Sequence, residues 1–185
     1  GTIGGAVAMN SGCYGSYIKD FLVEVKIVNR EGIEQVVKQN QIEFGYRSSN
    51  IPSDTIIVEA VFEAPLVDSS HLKTKMAEQL VARNGTQPIS ERTAGSTFRN
   101  PSGKSSTGLK DDGTERTAWK LIDDVGLRGF VLGGAQVSDK HPNFLVNRGN
   151  ASSKDFEELG ELIRKKVLQN SGIELQWEVI RVGVK

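Results

Sequence analysis

Ser152-Ser153-Lys154-Asp155-Phe156-Glu157-Glu158-Leu159-Gly160-Glu161-Leu162-Ile163-Arg164-Lys165-Lys166-Val167-Leu168-Gln169-Asn170-Ser171-Gly172 runs straight into Ile173-Glu174-Leu175-Gln176-Trp177-Glu178-Val179-Ile180-Arg181-Val182. The first stretch has a helix period. Ser152 and Asp155 form a capping box, Phe156, Leu159, Leu162, Ile163 and Val167 make one apolar stripe, and Ser171-Gly172 is the stop. The second stretch has a strand period, with Ile173, Leu175, Trp177 and Val179 on one face and Glu178, Ile180 and Val182 on the other.

Working outward, Phe21, Val23, Val25 and Ile27 alternate with Leu22, Glu24, Lys26 and Val28, and Arg30-Glu31-Gly32 reads as a hairpin turn. A second strand fits Thr55 to Phe62, rich in β-branched residues. From Asp68-Ser69-Ser70 the spacing of Leu72, Met76 and Leu80 predicts a helix closed at Asn84-Gly85, and with it a second domain. Another helix fits Thr117 to Val125, burying Ala118, Leu121, Ile122 and Val125 and ending at Gly126. Short strands follow at 129–132 and 144–147. Helices and strands mix without strict βαβ alternation, so the fold class is α+β.

Composition narrows the function. Lys plus Arg and Asp plus Glu are equal at 23 each, leaving no charge excess to hold a nucleic acid backbone. The lone Cys13 has no disulfide or metal-ligand partner, His71 and His141 are far apart, and no apolar run approaches membrane-spanning length. The reading is a soluble cytoplasmic protein with no metal, no nucleic acid partner and no membrane. Gly103-Lys104-Ser105 invites a phosphate-loop reading that fails on spacing, because Phe98 occupies the position of the first glycine. The polar segment 101–113 reads as a mobile surface loop.

The chain opens on Gly1-Thr2-Ile3-Gly4-Gly5-Ala6-Val7-Ala8-Met9-Asn10-Ser11-Gly12-Cys13-Tyr14-Gly15, with no Met at its head. Read as a loop, it would point free backbone N–H groups at a flat or phosphorylated cofactor, although a run of tight turns fits equally well. Among polar residues in unusual settings, Arg47 could grip a carboxylate in two-pronged fashion. Ser96 lies in a turn fixed by Gly95 and Pro101. Glu178, beside aliphatic neighbours, could be held protonated by desolvation and act as an acid. For each, a plain surface or turn residue is an equally open reading.

The ordered series decides. The opening loop, Tyr46-Arg47-Ser48-Ser49, Gln87-Pro88, Gly95-Ser96-Thr97-Phe98-Arg99-Asn100-Pro101, Ala118-Trp119-Lys120-Leu121-Ile122-Asp123, Gly126-Leu127-Arg128-Gly129, Gly133-Gly134-Ala135-Gln136-Val137-Ser138, His141-Pro142-Asn143-Phe144-Leu145-Val146-Asn147 and Trp177-Glu178-Val179 together resemble the UDP-N-acetylenolpyruvoylglucosamine reductases, flavoenzymes of bacterial peptidoglycan synthesis. The resemblance covers essentially the whole chain and is to the type with a shortened substrate domain. It implies the C-terminal part of an α+β FAD-binding domain over 1–67, with the N-terminal lobe of that domain absent as a partner, and a smaller α+β substrate-binding domain over 68–185. It implies FAD as cofactor, NADPH as hydride donor and an enolpyruvyl UDP-sugar as substrate. Matched residue by residue, Arg47 would bind the substrate carboxylate, Ser96 would protonate C2 and Glu178 would assist as an acid. Tyr46, Asn100 and His141 would contact substrate. Gly1, Thr2, Ile3, Gly4, Gly5, Asn10, Gly12 and Tyr14 would lie against the flavin. The segment 103–113 is longer than the family pattern. A flavin-free UDP-sugar-binding module and an unrelated flavin oxidoreductase stand as alternatives.

Overall fold

The computed structural model describes residues 1–104 and 116–183. The expected mobile loop falls largely on residues 105–115 and so lies outside the described residues. Two compact units are present, one containing Gly1–Asp68 and the other Ser69–Gly103 with residues 116–183. Each is described by itself.

In chain order the first unit holds α1 (Ile3–Ala8), β1 (Gly12–Cys13), β2 (Ser16–Tyr17), β3 (Leu22–Val28), β4 (Glu34–Lys38), β5 (Phe44–Gly45), β6 (Ser48–Ser49) and β7 (Ile56–Phe62). The expected opening loop is therefore a helix between turns. Thr2 Oγ1 accepts from Gly5 N at 3.1 Å and caps α1, and Gly4 lets the helix backbone approach Ile57 of β7 closely. Capping and close packing outweigh the low helix propensity of two adjacent glycines. Val7, fully buried, joins Leu22, Val25, Ile27 and Ile42 in this unit's core.

β3 lies between β4 and β7, antiparallel to both. Its inward residues are Leu22, Val25 and Ile27, while Phe21 and Val23 are exposed. The strict alternation from Phe21 fails because the register against β7 shifts between Leu22 and Glu24. An extra residue at such a bulge turns the strand's faces over.

The second unit holds α2 (Ser69–Thr86), β8 (Thr93–Ser96), α3 (Ala118–Asp124), β9 (Val131–Leu132), β10 (Ala135–Val137), β11 (Phe144–Asn147) and α4 (Ser153–Ser171). Its antiparallel sheet has the order β8-β11-β10-β9. The expected helices are present, and α3 and α4 pack their apolar stripes into one core with Phe98, Leu127, Val137, Leu145 and Leu175. By contrast, Leu72, Met76 and Leu80 of α2 are all exposed. The capping box of α4 is formed: Asp155 N donates to Ser152 Oγ at 3.1 Å and Ser152 N to Asp155 Oδ2 at 2.9 Å, while Gly172 takes the left-handed stop at φ 71°. Beyond it, among the described residues, the terminal segment makes one isolated β-bridge, Phe98 with Trp177, in place of the expected full strand. None of the helices among the described residues is long and apolar enough to cross a membrane.

Loss of the cap should be felt by the whole second core, because α4 supplies Leu159, Ile163 and Val167 to it. Ser152→Ala is expected to lower stability by about 1 kcal/mol. A urea midpoint indistinguishable from that of the parent chain would count against this.

Candidate functional site

The candidates in the first unit come together at a clasp where two hairpins meet the end of α1. Tyr14 and Gly15, both with positive φ, make the two-residue turn of the β1–β2 hairpin, the backbone pattern of a type I′ turn. The β5–β6 hairpin turns through Tyr46-Arg47. Buried Asn10 ties these parts, donating Nδ2–H to Gly45 O at 3.1 Å and accepting from Lys19 N at 3.2 Å. Arg47 donates from a terminal guanidinium nitrogen to Gly12 O at 3.2 Å, and Ser49 Oγ donates to Ala8 O at 3.0 Å. The Arg47 guanidinium also lies 5.5 Å from the centre of the Tyr46 ring, a cation–π contact.

Among the described residues the non-glycine positions with positive φ are Asn10, Tyr14 and Arg47, at 41°, 51° and 53°. All three were singled out in the sequence. Side chains in the left-handed region cost roughly 1–3 kcal/mol each and persist where surrounding contacts impose them, commonly at functional sites. For Asn10 and Arg47 the imposing contacts are hydrogen bonds of the clasp, and for Tyr14 it is the tight β1–β2 turn. A Cβ at Gly15 would meet nothing within 4 Å, and Thr2, Ile3 and Gly5 are exposed. Among the described residues no group of His, Cys, Asp and Glu could hold a metal.

The second unit brings Ser96 and Glu178 to neighbouring chain segments. Ser96 ends β8, opposite Phe144 of β11. The next residue, Thr97, accepts from Glu178 N at 2.8 Å through its carbonyl. Both candidates are half-buried. The aliphatic enclosure expected around Glu178 is not supplied by its face-mates, since Ile180 and Val182 are 77% and 95% exposed. Asn100, four residues past Ser96, accepts from Ala118 N at 3.1 Å and so anchors the start of α3.

Asn143 was quoted in the sequence but given no role, and it is what shapes this region. Buried to 4% exposure, it donates Nδ2–H to Phe98 O at 2.8 Å and accepts from Phe98 N at 2.9 Å, while its own carbonyl accepts from Thr97 N at 2.7 Å. An asparagine can satisfy both the N–H and the C=O of one residue at once, which fixes the chain just after Ser96. A buried amide directly before an apolar strand was the available signal.

His141 sits with its ring edge-on to Phe144 and Trp119, at 4.7 and 6.4 Å between centroids. Burial pushes its pKa down to about 4, and the Arg128 charge adds to this against a backbone hydrogen bond that opposes it. The neutral ring accepts from Asn143 N at Nδ1, 3.3 Å away. Its packing supports the same Asn143 that holds Phe98.

A family model described as UDP-N-acetylenolpyruvoylglucosamine reductase, C-terminal domain, matches residues 87–182. The chain belongs to the UDP-N-acetylenolpyruvoylglucosamine reductase family. It is 54% identical over 183 residues to the reductase of that name from Paracoccus denitrificans, covering 99% of this chain and 60% of that one. It is 53% identical over 185 residues to the one from Roseobacter denitrificans, covering 100% and 60%. A solved structure of UDP-N-acetylenolpyruvylglucosamine reductase from Thermus caldophilus superposes with a TM-score of 0.75 at 33% identity, over 95% of this chain and 59% of that one. The chain thus spans about 60% of the length of these relatives, and its α+β fold is that of the family.

The lowered pKa of His141 has a consequence for stability. The unfolded chain takes up a proton near the ordinary value of 6.5, whereas folded His141 stays neutral until about pH 4. Stability from this residue is therefore fully present above about pH 6.5 and is lost as pH falls towards 4, by roughly 3 kcal/mol in all. His141→Phe is expected to flatten this part of the pH–stability curve, measured by urea unfolding between pH 7 and 4.5. Parallel curves for the two proteins would refute the assignment.

Proposed function

We propose that this chain carries the substrate-reducing machinery of an NADPH-dependent flavoenzyme that converts the enolpyruvyl ether of UDP-N-acetylglucosamine to UDP-N-acetylmuramate. The observation that supports it most is the seating of Glu178 beside the end of β8, one residue from Ser96, by the Glu178 N–Thr97 O hydrogen bond. Residues widely separated in sequence but matching the family's acid and proton donor share one short stretch of backbone.

The clasp residues of the first unit, with Thr2, Ile3 and the glycines Gly1, Gly4, Gly5 and Gly12, would hold one edge of FAD. When bound, the flavin would pass a hydride taken from NADPH to C3 of the enolpyruvyl group. The negative charge left over C2 and the carboxylate needs a cation, an acid and a proton. Arg47, already fixed by Gly12 O and Tyr46, would orient the carboxylate and draw charge towards it. Ser96 would give its hydroxyl proton to C2, saturating the double bond, and regain a proton from solvent. Glu178 would act as an acid at the same end of the substrate. Tyr46 would support the carboxylate, Asn100 would face the uridine diphosphate, and His141 would back the substrate-facing surface through Asn143.

Ser96→Ala in the full-length protein is expected to leave flavin bleaching by NADPH intact and to slow reoxidation by the enolpyruvyl substrate about 10²–10⁴-fold. Stopped-flow absorbance separates the two half-reactions. Equal slowing of both would remove Ser96 from proton delivery. A flavin indifferent to the UDP-sugar would remove the reading as a whole.

A further inference from the structure

We infer that Trp177, seated on Gly160 of α4 and hydrogen-bonded to Glu161, is a positioning residue that sets the register in which Glu178 is presented beside Ser96. The inference rests on the roles proposed above for those two residues.

The terminal segment is held upstream by Leu175, fully buried in the core, and beside Glu178 by a short pairing with the chain just past β8. Its pairing with the end of β8 includes one antiparallel bridge, Phe98 with Trp177, and the backbone hydrogen bonds Arg99 N–Gln176 O at 2.8 Å, Glu178 N–Thr97 O at 2.8 Å and Val179 N–Thr97 O at 3.4 Å. Backbone hydrogen bonds do not distinguish one register from the next, and a slip of one residue would exchange the faces of Trp177 and Glu178. Register must come from side chains, from the buried Leu175 and from Trp177, which directly precedes Glu178.

Four contacts hold the indole. It packs on the buried Phe98 ring, with centroids 5.0 Å apart at 48°. Its six-membered ring lies against the α4 backbone at Gly160, so closely that a methyl group on that residue would overlap it. Nε1–H donates to Glu161 Oε1 at 3.0 Å. The Arg181 guanidinium covers the ring 4.7 Å from its centroid and lies 3.6 Å from the same Glu161 oxygen.

Glu161 is the anchor. Its carboxylate also accepts from Arg164 at 2.7 Å, and Arg164 in turn donates to Leu175 O at 2.9 Å and pairs with Glu174 at 2.7 Å. The segment is thereby tied to α4 on either side of Gln176. Exposed ion pairs of this kind are individually weak, but here they surround one fixed ring, and the ring admits one register. α4 is itself fixed by its capping box and its buried stripe, so the position of Glu178 refers back to a rigid element. Small displacements of a catalytic group cost rate steeply, with 1 Å costing as much as about 100-fold.

Three variants of the full-length protein test this. Gly160→Ala pushes the indole off the helix, Trp177→Phe keeps the stack on Phe98 but removes the donor, and Glu161→Gln keeps the acceptor oxygen but removes the charge under Arg181. Gly160→Ala is expected to leave flavin reduction by NADPH unchanged and to slow reoxidation by the enolpyruvyl UDP-sugar about 10–100-fold, chiefly in kcat. Trp177→Phe and Glu161→Gln should fall between it and the wild type. A purely structural role would lower Tm and leave both half-reactions alike, and that result overturns the proposal. Hydrogen–deuterium exchange of the peptide holding Glu178 and Val179 gives an answer independent of turnover. Faster exchange there in Gly160→Ala supports the positioning role, and protection equal to wild type overturns it. If the wild-type flavin does not respond to the UDP-sugar, the functional reading fails, while exchange still decides what holds the segment.

Discussion

The docking of residues 176–178 on residues 97–99 is the constraint on which the second unit's candidate site depends. It is a single antiparallel pair with two backbone hydrogen bonds, and it joins the last segment of the chain to the end of a strand far earlier in sequence. Backbone pairing this short is weak by itself. It persists because both partners are fixed from behind, Phe98 by the buried amide of Asn143 and Trp177 by the surface of α4.

The clasp in the first unit works differently. Its parts are held by side-chain hydrogen bonds to main-chain carbonyls, at Gly45, Gly12 and Ala8, with Asn10 itself buried. Three non-glycine residues in left-handed conformations are concentrated there. That backbone geometry is costly, and the carbonyl partners keep Arg47 and Asn10 in place with few side-chain degrees of freedom left. The Arg47 guanidinium is oriented by Gly12 O and by the Tyr46 ring.

Much of this was legible in one dimension. Capping boxes, apolar stripes and glycine stops act within a few residues, so α3, α4 and the turn after β3 follow from local patterns, whereas β4 carries no apolar face that marks it. The opening glycines misled because a cap at Thr2 and a close approach to Ile57 make a helix of residues whose propensities oppose it. The face of β3 was misjudged at its start because a bulge depends on the partner strand, β7. β8 and β10 were missed because Thr93-Ala94-Gly95-Ser96 and Ala135-Gln136-Val137 carry too few β-branched or apolar residues to mark a strand.

The sequence by itself determined the α+β class, the long helices and the family, because these rest on local periodicity and on an ordered series of short motifs. Tertiary structure alone decided that Asn143 clamps Phe98, that Trp177 rests on Gly160, and that Glu178 reaches the end of β8. Each of those contacts joins residues separated by long stretches of chain. Their energy comes from burial and hydrogen-bond geometry in three dimensions, which no spacing along the chain encodes.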